Sequence, residues 1–356
     1  MVDAMDPILI SVIIPVYNTD LNYLRQCISS VISQKYETIE IIIVDDGNDK
    51  DYSDKLDCFP DTDTRIRVLH KNNEGQGSSR NYGVQYANGE YVFFMDSDDY
   101  ISPYAIENAV SIARRISANM IVGGKIHVTR EQEVYFPSTE NKIITVETKE
   151  EKESYLNHIL GYRNARYELS AGALGDSACS ILIKKEILLQ ARFENDKYWD
   201  EDSLWNMLSV TASKKILIVD NLWYAYIINP ESTIRGYKGD RTYEFQFRAK
   251  QEYERMQRLW PNCAQGKYYL VWVGLLAYCR TDIFHKKNHK TLSEKYSCFL
   301  RAIDFDEFKD AIRNIDFSNE KNLIKRNVKN QIKKLLQTNR KLAFVLLLFC
   351  TKVIKF

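Results

Sequence analysis

No stretch of this 356-residue chain is apolar for the length of about 20 residues that a membrane-crossing helix needs. The run Leu342–Cys350 reaches nine. The seven cysteines are odd in number and include no C-x-x-C pair, so a reduced, cytosolic protein is the economical expectation. Ile8–Val16 is too short and lacks the basic lead of a signal peptide. Neither G-x-x-x-x-G-K-[ST] nor G-x-G-x-x-G occurs, which removes ATPase and dehydrogenase readings. There is no internal repeat and no low-complexity tract. Residues 321–356 lack Asp and Glu altogether.

What is present is globular. Apolar residues make up 45% and charged residues 27%, which excludes a disordered or fibrous chain. The length suits one large domain plus a smaller one. Tyrosine is abundant, at 23 residues, and suits either a polar cleft or a wet core periphery. The net charge of +1 conceals an asymmetry: residues 321–356 hold ten Lys or Arg, leaving 39 basic against 48 acidic residues elsewhere. A nucleic-acid binder spreads basic charge over its main domain, so nucleic acid is excluded as a partner.

The first 130 residues alternate strand and helix signals. Ile8–Val16, Glu40–Val44, Arg65–Leu69 and Tyr91–Met95 predict buried strands. Leu21, Leu24, Ile28, Val31 and Ile32 recur at helical spacing behind Asp20 as N-cap. Gly77–Ala87 predicts a second helix, opened by Ser78 or Ser79, and Pro103–Ser117 a third. This is an α/β pattern with a mostly parallel sheet. From Glu131 to Arg166 the pattern loosens. Ile181–Ile183 and Ile216–Val219 return as strands, and after Gly239 the chain turns helical. The expected division is a catalytic domain over 1–235 and a helical C-terminal region over 236–356.

In an open α/β sheet, ligands bind beyond the carboxyl ends of the strands. Four segments fall there: Pro15-Val16-Tyr17-Asn18, Asp45-Asp46-Gly47, Asn72–Arg80 and Asp96-Ser97-Asp98-Asp99. Three carboxylates after one apolar strand repel each other unless a cation compensates, and hard oxygen ligands suit Mg²⁺ or Mn²⁺ bound with substrate phosphates. Such residues also begin ordinary loops and cap helices. Asp45 or Asp46 can accept from a base N–H or a ribose hydroxyl, although D-G is also a common turn. Tyr17 offers a face for a base. Arg80 and the helix start before it can attract a diphosphate.

These segments resemble the family 2 glycosyltransferases, inverting enzymes with the Rossmann-like GT-A fold. The matching stretches are SVIIPVYN (11–18), IIIVDDGNDKD (41–51), NNEGQGSSRNYGVQYANGEYVFFMDSDD (72–99) and YWDEDSLWNMLSVTASKKILIVDNLWYAY (198–226). The resemblance covers about 8–230. It implies that Pro15, Tyr17, Asn18, Asp45, Asp46, Arg80, Asp96 and Ser97 serve the donor, with Tyr17 stacking on the base and Asp46 contacting it. Asp96 and Asp98 form the D-x-D element and hold Mn²⁺ or Mg²⁺. Asp202, beside Glu201, is the general base. The donor is a nucleotide-diphosphate sugar, a UDP-sugar for preference. The acceptor is a glycan or lipid-linked glycan in surface polysaccharide or cell-wall synthesis. Two features depart from the family: Ala225–Thr233 has no basic residue or metal-contacting histidine, with Arg235 a weak substitute, and Ala178–Leu182 stands where Trp-x-Lys is common. A nucleotidyltransferase or an inactive scaffold subunit stays open as an alternative, as does a homo- or hetero-oligomer. His285-x-x-x-His289 has metal-ligand spacing in basic surroundings that suit a solvated surface.

Within 321–356, Ile324, Val328, Ile332, Leu335 and Leu336 make one helical stripe. A basic amphipathic helix ending in an apolar run fits the inner face of an anionic membrane, placing the protein there peripherally. The alternative is a helix docked on the catalytic domain or a second subunit.

Overall fold

In the computed structural model the described residues are 6–129, 132, 134–136, 142–172, 175–194, 201–228, 237, 239 and 241–353, without the side chains of 349–353. The chain divides into two compact units: Met1–Lys152 with Arg166–Ile228, and Glu153–Ala165 with Asn229–Phe356.

The first unit begins with β1 (Ile10–Val16), α1 (Leu21–Ile32), β2 (Ile39–Asp46), α2 (Lys50–Leu56), β3 (Ile66–Lys71), α3 (Gln76–Tyr86) and β4 (Tyr91–Phe94). It continues through β5 (Tyr100–Ile101), α4 (Ala105–Arg115), β6 (Met120–Val128), β7 (Ile143–Val146) and the start of α5 (Lys149–Ile159), where the chain leaves the unit. On its return come β8 (Ile181–Lys184), α6 (Lys185–Leu188), α7 (Glu201–Ala212) and β9 (Ile216–Ile227). The strands form one sheet in the order β3-β2-β1-β4-β8-β6-β9-β5, with β7 on β9. β1, β2, β3, β4, β6 and β9 run one way, while β5, β7 and β8 run the other. The sheet is mixed and mostly parallel. Every residue of β1 is buried, as a strand covered on both faces requires.

The helix signals translate locally. Asp20 caps α1 by accepting the Asn22 N–H at 2.8 Å, and Leu24, Cys27, Ile28 and Val31 form its buried stripe. The start of α3 differs from expectation. Its N-cap is Gly75, at φ +99°, and neither Ser78 nor Ser79 opens the helix. The Asp46 carboxylate from β2 accepts the Glu74 and Gly75 N–H groups at 3.1 and 2.9 Å, so a long-range acceptor fixes the turn that leads into the helix.

β6 carries no strand expectation because its sequence, MIVGGKIHV, is broken by two glycines. Those glycines admit a neighbour: a Cβ on Gly123 would lie 2.1 Å from the Trp223 ring. β9 runs along β6 on one side and takes β7 and β5 on the other, at Ile216–Val219 and Tyr224–Ala225. The loose 131–166 segment contains both β7 and the whole of α5 among its described residues.

The second unit is helical: α8 (Thr242–Leu259), α9 (Ala264–Tyr278), a π-helical turn at Cys279–Ile283, α10 (Leu292–Ala302), α11 (Asp306–Asn314), α12 (Leu323–Thr338) and α13 (Arg340–Val353). His285 and His289 lie between the π turn and α10 rather than on a helix, so their i, i+4 spacing sets up no common face. No helix among the described residues is long and apolar enough to cross a membrane. The basic tail comprises α12 and α13, and much of it packs inward. Ile332, Leu336, Ala343, Phe344 and Leu347 are buried, and the Phe344 ring meets Phe284, Tyr296 and Phe299 at 5.1–5.4 Å. Lys329 pairs with Glu320 at 2.7 Å, and Lys333 donates to the Ile315 carbonyl at 2.5 Å. The outer side keeps Leu323, Ile324, Leu342 and Val345 exposed.

Phe344→Ala is expected to lower stability by about 3–5 kcal/mol, because it empties a three-ring cage. Chemical denaturation checks this, and a loss below about 1 kcal/mol would mean that the tail is not part of this core.

Candidate active site

The strand ends place the acidic segments together. At the end of β1, Pro15 is buried in the sheet opposite Val44, whereas Tyr17 is 52% exposed and Asn18 stands outside in a left-handed conformation, φ 51°. The Asn18 N–H donates to Asn48 Oδ1 at 2.7 Å, and Asn48 Nδ2 donates to the Val16 carbonyl and to Asp45. One asparagine thus ties the β1 loop to the β2 loop.

The paired aspartates that end β2 face different tasks. Asp45 is buried and accepts from Asn48, from Ser53 and, at 2.8 Å, from His70 Nδ1, whose other ring nitrogen meets Asp57. Burial raises its pKa, but these hydrogen bonds prevail and hold it below the usual carboxylate range. Its oxygens are committed inside the protein. Asp46 is paired with Lys71 at 2.7 Å and accepts the two N–H groups before α3.

The acidic loop after β4 is laced to both flanks. Ser97 Oγ meets Thr19 Oγ1 at 2.5 Å. Asp99 is buried and accepts from the Tyr224 hydroxyl and the Ile227 N–H, each at 2.7 Å. The same hydroxyl accepts the Asp96 N–H at 3.1 Å. Asp99 therefore fastens the loop to β9 and is not a third open ligand. Asp96 and Asp98 remain. Burial, then the charge of Asp96, pushes the Asp98 carboxyl up to about 6.

Arg80 joins the two halves of the site. It is 1% exposed, and its guanidinium donates to Asp96 at 2.9 Å, Asp202 at 3.0 Å and Glu201 at 3.4 Å. The group lies over the Phe193 ring at 5.0 Å from its centroid and near Phe94 at 6.0 Å. Burial alone would lower its pKa, yet Asp202, Asp96 and Glu201 raise it, so it is permanently cationic. The sequence assigns Arg80 to a diphosphate; the structure gives it carboxylate partners, because α3 lies between the β4 loop and the start of α7. Glu201 comes so close to α3 that a Cβ on Gly77 would lie 2.7 Å from its carboxylate. Burial pushes Glu201 up to about 7 and raises Asp202 as well, each despite Arg80.

Among the described residues no cluster of three or more His, Cys, Asp or Glu side chains is arranged to hold a metal. Two carboxylates are nonetheless what Mg²⁺ or Mn²⁺ needs when substrate phosphates and water complete its shell. Burial and, second, the neighbouring Asp96 charge disfavour an ionised Asp98, and a bound cation would relieve both. Arg235 and the 229–236 segment lie outside the described residues, as do Tyr198, Trp199 and Asp200.

Residues 11–189, half of the chain, match the family model described as Glycosyl transferase family 2. The chain belongs to that family. It is 30% identical to Glycosyltransferase GlyG of Streptococcus pneumoniae serotype 4 over 216 residues, covering 60% of this chain and 69% of that protein. It is 26% identical to EpsJ of Bacillus subtilis, an uncharacterized glycosyltransferase, over 321 residues and 88% of each chain. The solved structure of S. aureus TarS 1–349 in complex with UDP-GlcNAc superposes with a TM-score of 0.60 at 18% identity, covering 96% of this chain and 90% of that one. That likeness concerns the fold, which is GT-A.

Several site residues of this glycosyltransferase escape sequence reasoning. Tyr224 lies inside a quoted motif but has no marker of its role, since its partners are 125 and 128 positions away. Gln76 donates to Asp96 at 2.6 Å, and Phe193 supports Arg80. Neither has a spacing signature. Lys71 stands next to the glycine-rich run, where a basic residue beside an acid-ended strand was the available clue.

Arg80→Ala should leave three carboxylates facing one another and cost about 3–5 kcal/mol, the range for breaking a buried pair. Arg80 favours the ionised carboxylates. The gap to wild type is therefore present at pH 8 and should narrow as pH falls through about 7 and below. Denaturation at both pH values measures this, and an equal gap would deny the hub.

Proposed function

We propose that this glycosyltransferase moves a sugar from a nucleotide-diphosphate sugar, of the UDP type, to an acceptor hydroxyl with inversion, in surface polysaccharide or cell-wall glycan synthesis. One observation carries the reading: Arg80 holds Asp96 of the D-x-D element and Asp202 of the E-D motif on a single guanidinium. Donor-side and acceptor-side carboxylates thus share one site.

The exposed face of Tyr17 suits stacking by a base. Asp46, fixed by Lys71, presents its carboxylate at the end of the neighbouring strand for a base N–H or ribose hydroxyl. Asp96 and Asp98 would hold the Mn²⁺ or Mg²⁺ ion, whose chemistry when bound is to neutralise a leaving diphosphate. Asp202 takes the proton of the acceptor hydroxyl as the new bond forms. Its raised pKa makes it a better base than a solvated aspartate. A base on the face opposite the leaving group gives inversion in one displacement, as in the inverting glycosidases.

Two variants separate the roles, with UDP-GlcNAc as first probe because a solved structural relative binds it. Asp98→Asn should abolish the Mn²⁺-dependent part of donor binding in calorimetry. Asp202→Asn should keep that binding and lose turnover by about 10²–10⁴. Equal loss of binding in both would make Asp202 a donor-side residue.

The tail supports a peripheral location on the inner face of the membrane. Leu323, Ile324, Leu342 and Val345 stand exposed in a segment with ten basic residues and no acidic one. Each cation near anionic headgroups contributes about 1 kcal/mol. Full-length protein should sediment with phosphatidylglycerol vesicles at about 0.05 M salt and release at about 1 M. Ile324→Ser with Leu342→Ser should weaken sedimentation while keeping the fold, since neither side chain is buried. Binding unchanged by salt or by these substitutions would remove the tail from the account.

A further inference from the structure

A lysine on β6 has no place in any strand-end motif, yet it stands behind Asp202. Lys125 Nζ lies 2.6 Å from Asp176 and donates to Ser177 Oγ at 3.0 Å. One residue on, the Ala178 N–H donates to the Asp202 carboxylate. The turn carrying these three residues is anchored before and after. Asp220 accepts from Ser170 Oγ and the Ala171 N–H, each at 2.6 Å. Ser180, in a left-handed conformation at φ 65°, donates its hydroxyl to the Gly124 carbonyl at 3.0 Å and accepts the Gly123 N–H at 2.9 Å. The Lys125 side chain is 12% exposed, and a buried ammonium is tolerated only when paired. Donor binding as laid out above needs neither Lys125 nor Asp176.

We propose that Lys125, paired with Asp176, is a positioning residue for Asp202: it presses the Asp176–Ala178 turn onto that carboxylate and adds a second cation to its surroundings. This rests on Asp202 being the general base. The groups facing Asp202 are Arg80 from α3, Glu201 from its own helix, Asp96 from the β4 loop, Lys125 from β6, and the Cys179 thiol, which burial keeps neutral. Burial pushes Asp202 up most strongly, and Asp96 adds to it. Arg80 and Lys125 pull it down. The base thereby remains more basic than a solvated aspartate, with the two cations opposing the effect of burial.

The pair predicts opposite responses from two substitutions. Lys125→Gln removes a cation, so the Asp202 titration midpoint should rise by about one pH unit. Asp176→Asn leaves Lys125 charged but unneutralised, so the midpoint should fall. A purely structural turn would move both variants in one direction or neither. The readout is NMR of full-length protein labelled with carbon-13 in its aspartate carboxyls, with the Asp202 signal identified by its loss in Asp202→Asn. UDP-GlcNAc hydrolysis with Mn²⁺, water standing in for the acceptor, gives the second measure. Both variants should lose turnover by about 10–10² with donor KM unchanged, from misplacement of the base. Midpoints that stay put or shift together overturn the proposal. If Lys125→Gln does not fold, the downward shift in Asp176→Asn still decides. If Asp202→Asn hydrolyses donor like wild type, the base reading fails by itself, and the titration still judges the Lys125–Asp176 clamp.

Discussion

A buried guanidinium among carboxylates is the constraint around which this site is built. An unpaired charge with Arg80's 1% exposure would be prohibitively costly, so the carboxylates are obligatory partners. The converse also holds, because Asp96, Glu201 and Asp202 crowd one another and need the cation. The fork of the guanidinium lets one residue reach a loop after β4 and the first turn of α7 together, which an ammonium cannot do. The Phe193 and Phe94 rings stand beside it, their centroids 5.0 and 6.0 Å away, while the acids meet its terminal nitrogens.

The layout distributes acids by function. Asp45 and Asp99 each stand beside a residue assigned to substrate or metal, yet both are consumed by internal hydrogen bonds. Asp46 is likewise held inside, by Lys71 and the two N–H groups before α3. Asp98 alone of the four has burial and a neighbouring charge, and no internal partner, as its dominant influences.

The parallel half of the sheet was legible because β1 to β4 are apolar runs separated by amphipathic helices, with periodicity surviving intact. Asp20 as a cap and the four strand-end segments were legible for the same local reason. β6 was not, since Gly123 and Gly124 answer to Trp223 and to Ala171, neighbours far along the chain. The start of α3 was misplaced because the turn before it is fixed by Asp46, far upstream in the chain, and its N-cap is a glycine without a side chain. Arg80 was legible as a basic residue at the helix start, but its carboxylate partners were not, for nothing nearby in sequence announces Glu201 and Asp202. Of the tail's expected stripe, Ile332 and Leu336 turn inward while Ile324 stands exposed, a split that helical spacing alone does not reveal.

The Tyr224 hydroxyl has a consequence for how the enzyme comes into being. It fixes Asp96 and Asp99 by contacts spanning 128 and 125 residues, and the Ile227 N–H adds another across 128. Contacts this distant form late, after the loop-closure entropy has been met. The acidic loop is synthesised early but acquires its final geometry only when the last strand docks. A ribosome-bound chain that stops within the family-matched stretch 11–189 has the D-x-D sequence and lacks both Asp202 and the strand that shapes the loop. The loop's final shape thus waits until the sheet is closed by β9.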